Sequence, residues 1–210
     1  MSLKEVLIDE MRDLYSAENQ IVKAFPKALK EVSDEKLKQA MTAHLEETKG
    51  QVTRLRTIFE HLGKKPTGKH CDGTEGCLKE VAEAAEEDEE GALKDAGIIG
   101  ASLRVEHYEI AGYTAAIAIA KALKEAEVVK LLTETLHEEE AAAKNILSGA
   151  TSILKEAASQ EDEEDDEEEE DEEKDPEKKE SDEKSKQDEQ EAAPELTDAP
   201  APKSSKKTSK

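Results

Sequence analysis

The sequence predicts an all-α protein, a bundle of four long helices with one short extra helix, followed by a disordered acidic tail. Apolar residues recur at three- and four-residue steps in four long segments, as they do on one face of a helix. No segment alternates apolar and polar residues as a half-buried strand does. The periodicity ends near residue 159, after which 52 residues carry 23 Asp/Glu and 9 Lys. A segment this charged cannot bury enough apolar surface to fold, so we divide the chain into a helical domain, residues 1–158, and a disordered tail, residues 159–210.

The helical segments follow one another with two short links and one long link. The pattern predicts helices over about residues 2–31, 34–62, 75–90, 93–124 and 126–158. Gly63 supplies a left-handed stop for the second segment, and the Gly- and Pro-rich loop 63–73 follows it. Short links join antiparallel neighbours, so the long helices form two hairpins and the short helix lies in the middle crossover. This is the ferritin-like kind of four-helix bundle.

The composition excludes several functions. The net charge is −23, and the helical domain shares this acidity, so its surface repels nucleic acid and anionic membranes. The chain has no apolar run near 18 residues and no apolar stretch of a secretory signal at its start. Its two cysteines, Cys71 and Cys77, lack the spacing of a zinc motif and are expected to be free thiols. These features predict a cytoplasmic protein.

Ionisable residues interrupt the apolar stripes of the first two long helices near their midpoints. Glu18 lies four residues after Leu14 and three before Ile21, in the centre of the predicted buried face. In the second long helix, His44 takes a stripe position, and Glu47 flanks it on the same side.

The last two long helices carry inward acids as well. Glu109 lies between apolar stripe positions, and Glu106 is its neighbour three residues earlier on nearly the same face. In the final helix Glu138 and Glu139 straddle the buried face, so either acid can be the inward one. His137 falls on a mostly polar face and is expected to be exposed.

One inward acid on every long helix is costly unless a cation compensates it. An unpaired buried carboxylate costs several kcal/mol, which is comparable to the net stability of a domain. Carboxylates with an imidazole suit iron or manganese, and a pair of such ions is the natural compensation. The alternative is that each acid is hydrogen-bonded in the core or lies at its rim. Tyr15 and Tyr113 are placed to hydrogen-bond ligand carboxylates or, equally, to pack in the core.

Four segments resemble the bacterial YciE/YciF family, ferritin-like proteins linked to stress responses. They are residues 13–18 (DLYSAE), 44–51 (HLEETKGQ), 105–111 (VEHYEIA) and 134–139 (ETLHEE), within a similarity that covers about residues 2–157. The resemblance implies a rubrerythrin-like bundle, a homodimer and a di-metal centre. By position, the resemblance implies a set of metal ligands that matches the inward residues identified from apolar spacing. They are Glu18, His44, Glu47, Glu106, Glu109 and either Glu138 or Glu139. Helix two has the order His-x-x-Glu, the reverse of well-known di-iron proteins.

Two functions follow as hypotheses. The first is a di-iron or di-manganese protein of the stress response that oxidises bound metal or reduces peroxide, with Glu47 and a helix-four acid as bridging ligands. The second is a non-enzymatic dimeric stress or scaffold protein whose tail binds basic partners through residues 161–173, which are all Asp or Glu.

Overall fold

Five helices make up the described part of the chain. The computed structural model describes residues 1–174, with side-chain positions for residues 1–160. The helices are α1 (Leu3–Glu31), α2 (Glu35–His61), α3 (Asp72–Glu86), α4 (Ala92–Ala122) and α5 (Ala126–Lys174). No strand occurs within residues 1–174, so the predicted all-α class is confirmed, including the short helix of the middle crossover. None of these helices is both long and apolar enough to cross a membrane.

The last helix ends later than its apolar pattern predicts. The stripe ends near residue 158, whereas α5 continues to Lys174 through a run of Asp and Glu, and glutamate is a good helix former. The first compact unit spans Met1–Gln160. Residues 175–210 of the predicted disordered tail lie outside the described residues.

Side chains define the helix ends and connect the turns. Ser2 and Glu5 form a reciprocal capping box at the start of α1. Asp34 caps α2 by accepting a hydrogen bond from the backbone N–H of Leu37 at 2.8 Å. Gly63 has φ +66°, which confirms the predicted left-handed stop after α2.

Buried Asp95 of α4 joins the bundle to the turn between α1 and α2. Its two carboxylate oxygens accept hydrogen bonds from the backbone N–H groups of Ser33 and Asp34, at 2.9 and 2.7 Å. Because these backbone groups need partners when they are removed from water, Asp95 stabilises the turn in its packed position.

Two apolar clusters lie at either end of the bundle, with a polar layer between them. One cluster contains Ile21, Met41 and Val105, and the other contains Leu14, Leu55 and Tyr113. The stripe of α1 therefore passes from one cluster to the other at Glu18, and the stripe of α4 does so at Glu109. The polar residues that interrupt the stripes are thus brought to one level of the bundle.

Two glycines allow close approaches around this layer. A Cβ atom on Gly112 of α4 would lie 3.0 Å from the Cδ2 atom of Leu14 on α1, so the two helices approach closely there. A Cβ atom on Gly73 would lie 2.5 Å from the ring of Tyr108, because that ring packs directly on the backbone at the start of α3.

Candidate metal centre

The first wall of the polar layer is formed by Glu18 and Tyr113. Both side chains are fully buried, and the Tyr113 hydroxyl donates a hydrogen bond to Oε1 of Glu18. No described residue donates a hydrogen bond to the other oxygen, Oε2. Of the two tyrosines considered from the sequence, Tyr113 therefore contacts a candidate ligand, whereas the Tyr15 hydroxyl accepts a hydrogen bond from Arg56.

Helix α4 contributes two carboxyl groups to the layer. Glu106 and Glu109, one helical turn apart, both have fully buried side chains. When the acids are ionised, none of the four carboxyl oxygens has a hydrogen-bond partner among the described residues. Buried polar atoms are nearly always hydrogen-bonded in proteins, so unpaired oxygens here indicate a group that binds at this position.

Helix α2 places the imidazole of His44 beside these acids. Nε2 of His44 lies 3.1 Å from Oε2 of Glu106 and 3.8 Å from Oε2 of Glu139, without hydrogen-bond geometry. The edge of the ring packs against Phe25, at 6.2 Å between centroids. Burial lowers the pKa of His44 to about 4, so the ring is neutral at pH 7 and its unprotonated nitrogen is available as a metal ligand.

The structure distinguishes the two acids of α5. Glu139 is fully buried, and Gln51 of α2 donates a hydrogen bond to its Oε1. Glu138 is turned toward solvent and binds Arg54 through two hydrogen bonds of 2.8 Å. The inward acid of this helix is therefore Glu139, and Glu138 is neutralised by an arginine.

Glu47 lies outside the buried group. Its side chain is 50% exposed, and its Oε2 lies 3.9 Å from Nδ1 of His44. The helical spacing predicted that Glu47 lies beside His44. The buried face of α2, however, runs from His44 through Thr48 to Gln51, so Glu47 lies at the edge of that face. The layer thus contains five of the seven residues selected from the sequence: Glu18, His44, Glu106, Glu109 and Glu139.

Burial and mutual repulsion disfavour the charged forms of these acids. Burial first, and then the charge of neighbouring acids, raise the pKa values of Glu18, Glu106 and Glu109 well above the usual value. Burial likewise raises the pKa of Glu139 to about 7, although a hydrogen bond from protonated Glu106 and the hydrogen bond from Gln51 both favour its ionised form. Without a bound cation, the layer therefore favours the protonated forms of these acids.

The donor set fits divalent cations. His44, Glu106, Glu109 and Glu139 each offer a ligand atom, and these atoms all lie within 4.8 Å of one another. With Glu18, six carboxyl oxygens and both imidazole nitrogens in this layer have no hydrogen-bond partner among the described residues. Four carboxylates balance the charge of two divalent ions, and oxygen ligands with one imidazole suit iron or manganese.

Gln51 and Arg54 complete the α2–α5 interface, and sequence reasoning did not select them. Gln51 occupies the stripe position seven residues after His44, a signal that marks it as buried but does not reveal its partner. Arg54 binds Thr135, Glu134 and Glu138, and helical phase within α2 alone cannot reveal partners on another helix.

The other ionisable clusters are separate from the layer. His70, Asp72 and Glu75 come together at the start of α3, but all three are exposed. Cys71 and Cys77 are free thiols, as expected, and buried Cys71 lies 3.0 Å from a carboxylate oxygen of Asp13. His137 is exposed, as its polar face predicted.

The molecule is thus a bundle of long helices that surrounds a layer of buried acids and one histidine. Comparison with known proteins identifies its family: residues 2–159 match the model of the domain of unknown function DUF892, and the chain belongs to this family. The chain is 40% identical over 141 residues to protein YciF of Escherichia coli K12, which covers 67% of this chain and 85% of that protein. The resemblance to the YciF family is therefore confirmed.

Solved structures show the same fold. The crystal structure of the Escherichia coli stress protein YciF matches with a TM-score of 0.71 and 37% identity, covering 73% of this chain and 98% of that one. YcfI of Rhodopseudomonas palustris, described as a candidate structural protein, matches with a TM-score of 0.67 and 40% identity, covering 70% and 93%. A Xanthomonas campestris protein at 20% identity and a TM-score of 0.61 shares the fold.

Proposed function

We propose that the polar layer binds two iron or manganese ions and that the protein uses them in stress-related redox chemistry, oxidising bound metal or reducing peroxide. The observation that carries this proposal is the set of unpaired carboxyl oxygens in the core. Leaving them without a cation costs several kcal/mol, a large part of the stability of a domain. One or two inward ligands on each long helix is also the arrangement of di-iron carboxylate bundles of the ferritin-like kind.

The proposed ligands are Glu18, His44, Glu106, Glu109 and Glu139. When bound, such a metal pair supplies Lewis acidity and electron transfer to oxygen or peroxide. The surrounding residues orient the ligands: the Tyr113 hydroxyl fixes one oxygen of Glu18, and the Gln51 amide fixes one oxygen of Glu139. The apolar clusters on either side exclude water from the layer.

Metal content tests this proposal directly. The full chain is loaded anaerobically with Fe(II), desalted and subjected to elemental analysis, beside the double variant Glu106→Gln/Glu139→Gln. We expect about two ions per chain in the wild type and less than one in the variant, because two of the four carboxylates are lost. Ions that remain on the variant are bound by the three unchanged ligands or by the acidic tail.

Glu46→Gln provides the matched control. Glu46 is exposed on α2 and pairs with Lys49, so its substitution changes charge without touching the layer. Equal iron content in the wild type and the double variant would contradict the proposal. Turnover of peroxide and of O₂ by the loaded protein then distinguishes an enzyme from a metal-binding protein.

A non-enzymatic structural role is a second candidate. It is favoured by the relative YcfI, described as a candidate structural protein, and by the acidic run 161–173 in this sequence. A polyanion of this kind attracts basic proteins through salt-sensitive contacts. Truncation after Gln160, at the end of the first compact unit, tests the role of the tail. Loss of binding to a basic test protein, with unchanged metal content, would favour this candidate.

A further inference from the structure

The polar layer contains a buried amide, that of Gln51, with one end unpaired. Gln51 lies on the buried face of α2, seven residues after His44, and is fully buried. Its carbonyl oxygen, Oε1, has no hydrogen-bond partner among the residues whose side chains are described. Because buried polar atoms are nearly always paired, this oxygen indicates a group that binds beside it.

The contact with Glu138 determines which end of this amide is the oxygen. Glu138 accepts two hydrogen bonds of 2.8 Å from the guanidinium of Arg54, as an ionised carboxylate does. An ionised carboxylate can accept hydrogen bonds but cannot donate them. The amide atom that lies 3.1 Å from Oε2 of Glu138 must therefore be the nitrogen, Nε2, and the unpaired end of the amide is its oxygen.

The same nitrogen places the unpaired oxygen beside Glu139. Nε2 of Gln51 also donates a hydrogen bond to Oε1 of Glu139, and Oε2 of that carboxyl group lies 3.8 Å from Nε2 of His44. The oxygen and the nitrogen of an amide are two covalent bonds apart, so Oε1 of Gln51 lies within about 2.6 Å of its own nitrogen. Gln51 and His44 thus lie beside different oxygens of one proposed ligand.

The ligand set of the layer has one neutral group fewer than that of related bundles. Di-iron bundles of the ferritin-like kind hold two ions with four carboxylates and two histidines. This layer has four carboxylates, but only one of the five histidines in the chain, His44, is buried. His137 of α5 is exposed. The amide oxygen of Gln51 supplies a second neutral ligand atom at the α2–α5 interface.

We propose that Oε1 of Gln51 is a further ligand of the metal pair and takes the place of the second histidine. The inference rests on the proposed metal-binding function and completes its ligand set. Carbonyl oxygen suits manganese, whereas imidazole suits iron and zinc. The exchange of a nitrogen ligand for an oxygen ligand therefore favours Mn(II), relative to a centre with two histidines.

Isotope-edited infrared spectroscopy tests this ligand directly. The full-length chain, with ¹³C in the side-chain carbonyl of its glutamines, is loaded with Mn(II) without oxygen, desalted and compared with the metal-free chain. A cation bound to Oε1 weakens the C=O bond, so we expect the labelled carbonyl band of one glutamine to shift to lower frequency. An amide that only orients Glu139 would shift to higher frequency, because a carboxylate that binds a cation accepts a weaker hydrogen bond from Nε2.

Three variants assign the shifted band. Gln51→Leu and Gln51→Glu each remove the labelled carbonyl group and should abolish the shift, so either one that folds is sufficient. Gln39→Leu, at an exposed position of the same helix, is the matched control and should leave the shift unchanged. Gln51→Leu should also weaken Mn(II) binding roughly tenfold, whereas Gln51→Glu, which keeps a ligand oxygen, should not.

Elemental analysis of the same samples separates this inference from the proposed function. A wild-type chain that holds no more Mn(II) than Glu106→Gln/Glu139→Gln would refute the metal centre itself. Bound Mn(II) without a shift to lower frequency would overturn only the role of Gln51. Equal weakening of binding in Gln51→Leu and Gln51→Glu would mean that the lost Nε2 donor causes the effect, and would also overturn that role.

Discussion

The metal-free protein should lose stability as the pH rises above about 6.5, and added Mn²⁺ should remove this loss. An acid whose pKa is higher in the folded protein than in the unfolded chain binds protons more tightly when folded. Its contribution to stability is complete below the unfolded pKa and is lost as the pH rises through the folded pKa. Glu18, Glu106, Glu109 and Glu139 are all of this type.

The magnitude follows from the pKa values. For Glu139, a change from the usual 4.5 to about 7 is equivalent to about 3 kcal/mol, lost between about pH 4.5 and 7. His44 opposes this loss, because its pKa falls from 6.5 to about 4 on folding, so its contribution is gained as the pH rises from about 4 to 6.5. Above pH 6.5 His44 is neutral in both states and no longer compensates.

The higher-pKa acids then determine the slope. Each acid that is still protonated in the folded protein lowers the free energy of unfolding by about 1.4 kcal/mol per pH unit. One such acid predicts a loss of about 2 kcal/mol between pH 6.5 and 8.

Urea unfolding in EDTA, followed by circular dichroism at several pH values, measures the slope. Glu139→Gln removes one titrating group and should flatten the curve below pH 7, whereas exposed Glu46→Gln should leave it unchanged. The hydrogen bond that His70 donates to the carboxylate of Glu75 raises the pKa of His70, so His70→Gln is needed to separate its titration from that of the core acids. A free energy of unfolding that stays constant or increases from pH 6.5 to 8 in EDTA would refute the reasoning.

Three further predictions concern single contacts, each measured by urea unfolding. Tyr113→Phe removes the hydrogen bond to buried Glu18 and should cost about 1–3 kcal/mol; an unchanged midpoint would mean that the carboxyl group finds another partner. Asp95→Ala leaves two backbone N–H groups of the α1–α2 turn unpaired and should cost about 2 kcal/mol or more; a loss below about 0.5 kcal/mol would argue against this anchor. Gly73→Ala drives a methyl group into a packed tyrosine ring and should cost about 1–3 kcal/mol, whereas Gly76→Ala, with open space around it in the same helix, should stabilise by about 0.5–1 kcal/mol. Equal effects of the two glycine substitutions would contradict the packing.

The spacing of apolar residues predicted the inward acids of α1 and α4, because the buried face of each helix can be identified from residues of that helix alone. Glu18 and Glu109 occupy positions where an apolar stripe would otherwise be continuous, so their direction is fixed by local spacing. The resemblance to a known family selected the same positions independently.

The spacing of apolar residues could not predict whether Glu138 or Glu139 points inward, because both lie at the margins of one buried face. The inward acid is determined by contacts with α2. Arg54 forms an ion pair with Glu138, and Gln51 donates hydrogen bonds to both Glu138 and Glu139. Glu47 shows the same limit: its spacing from His44 indicates proximity, but its exposure depends on how far α2 is rotated against α5. The continuation of α5 to Lys174 was missed because it involves no apolar periodicity.

The absence of a side chain at Gly112 has a consequence for the polar layer one turn away. Gly112 follows Glu109 by three residues, and Leu14, which it faces, precedes Glu18 by four. A methyl group at Gly112 would crowd the end of the Leu14 side chain, and any part of this strain that Leu14 does not absorb would move α4, with Glu109, away from α1 and Glu18. The spacing of the buried acids in this bundle is therefore linked to a contact between two residues outside the polar layer, so a substitution there can change that spacing while every acid stays the same.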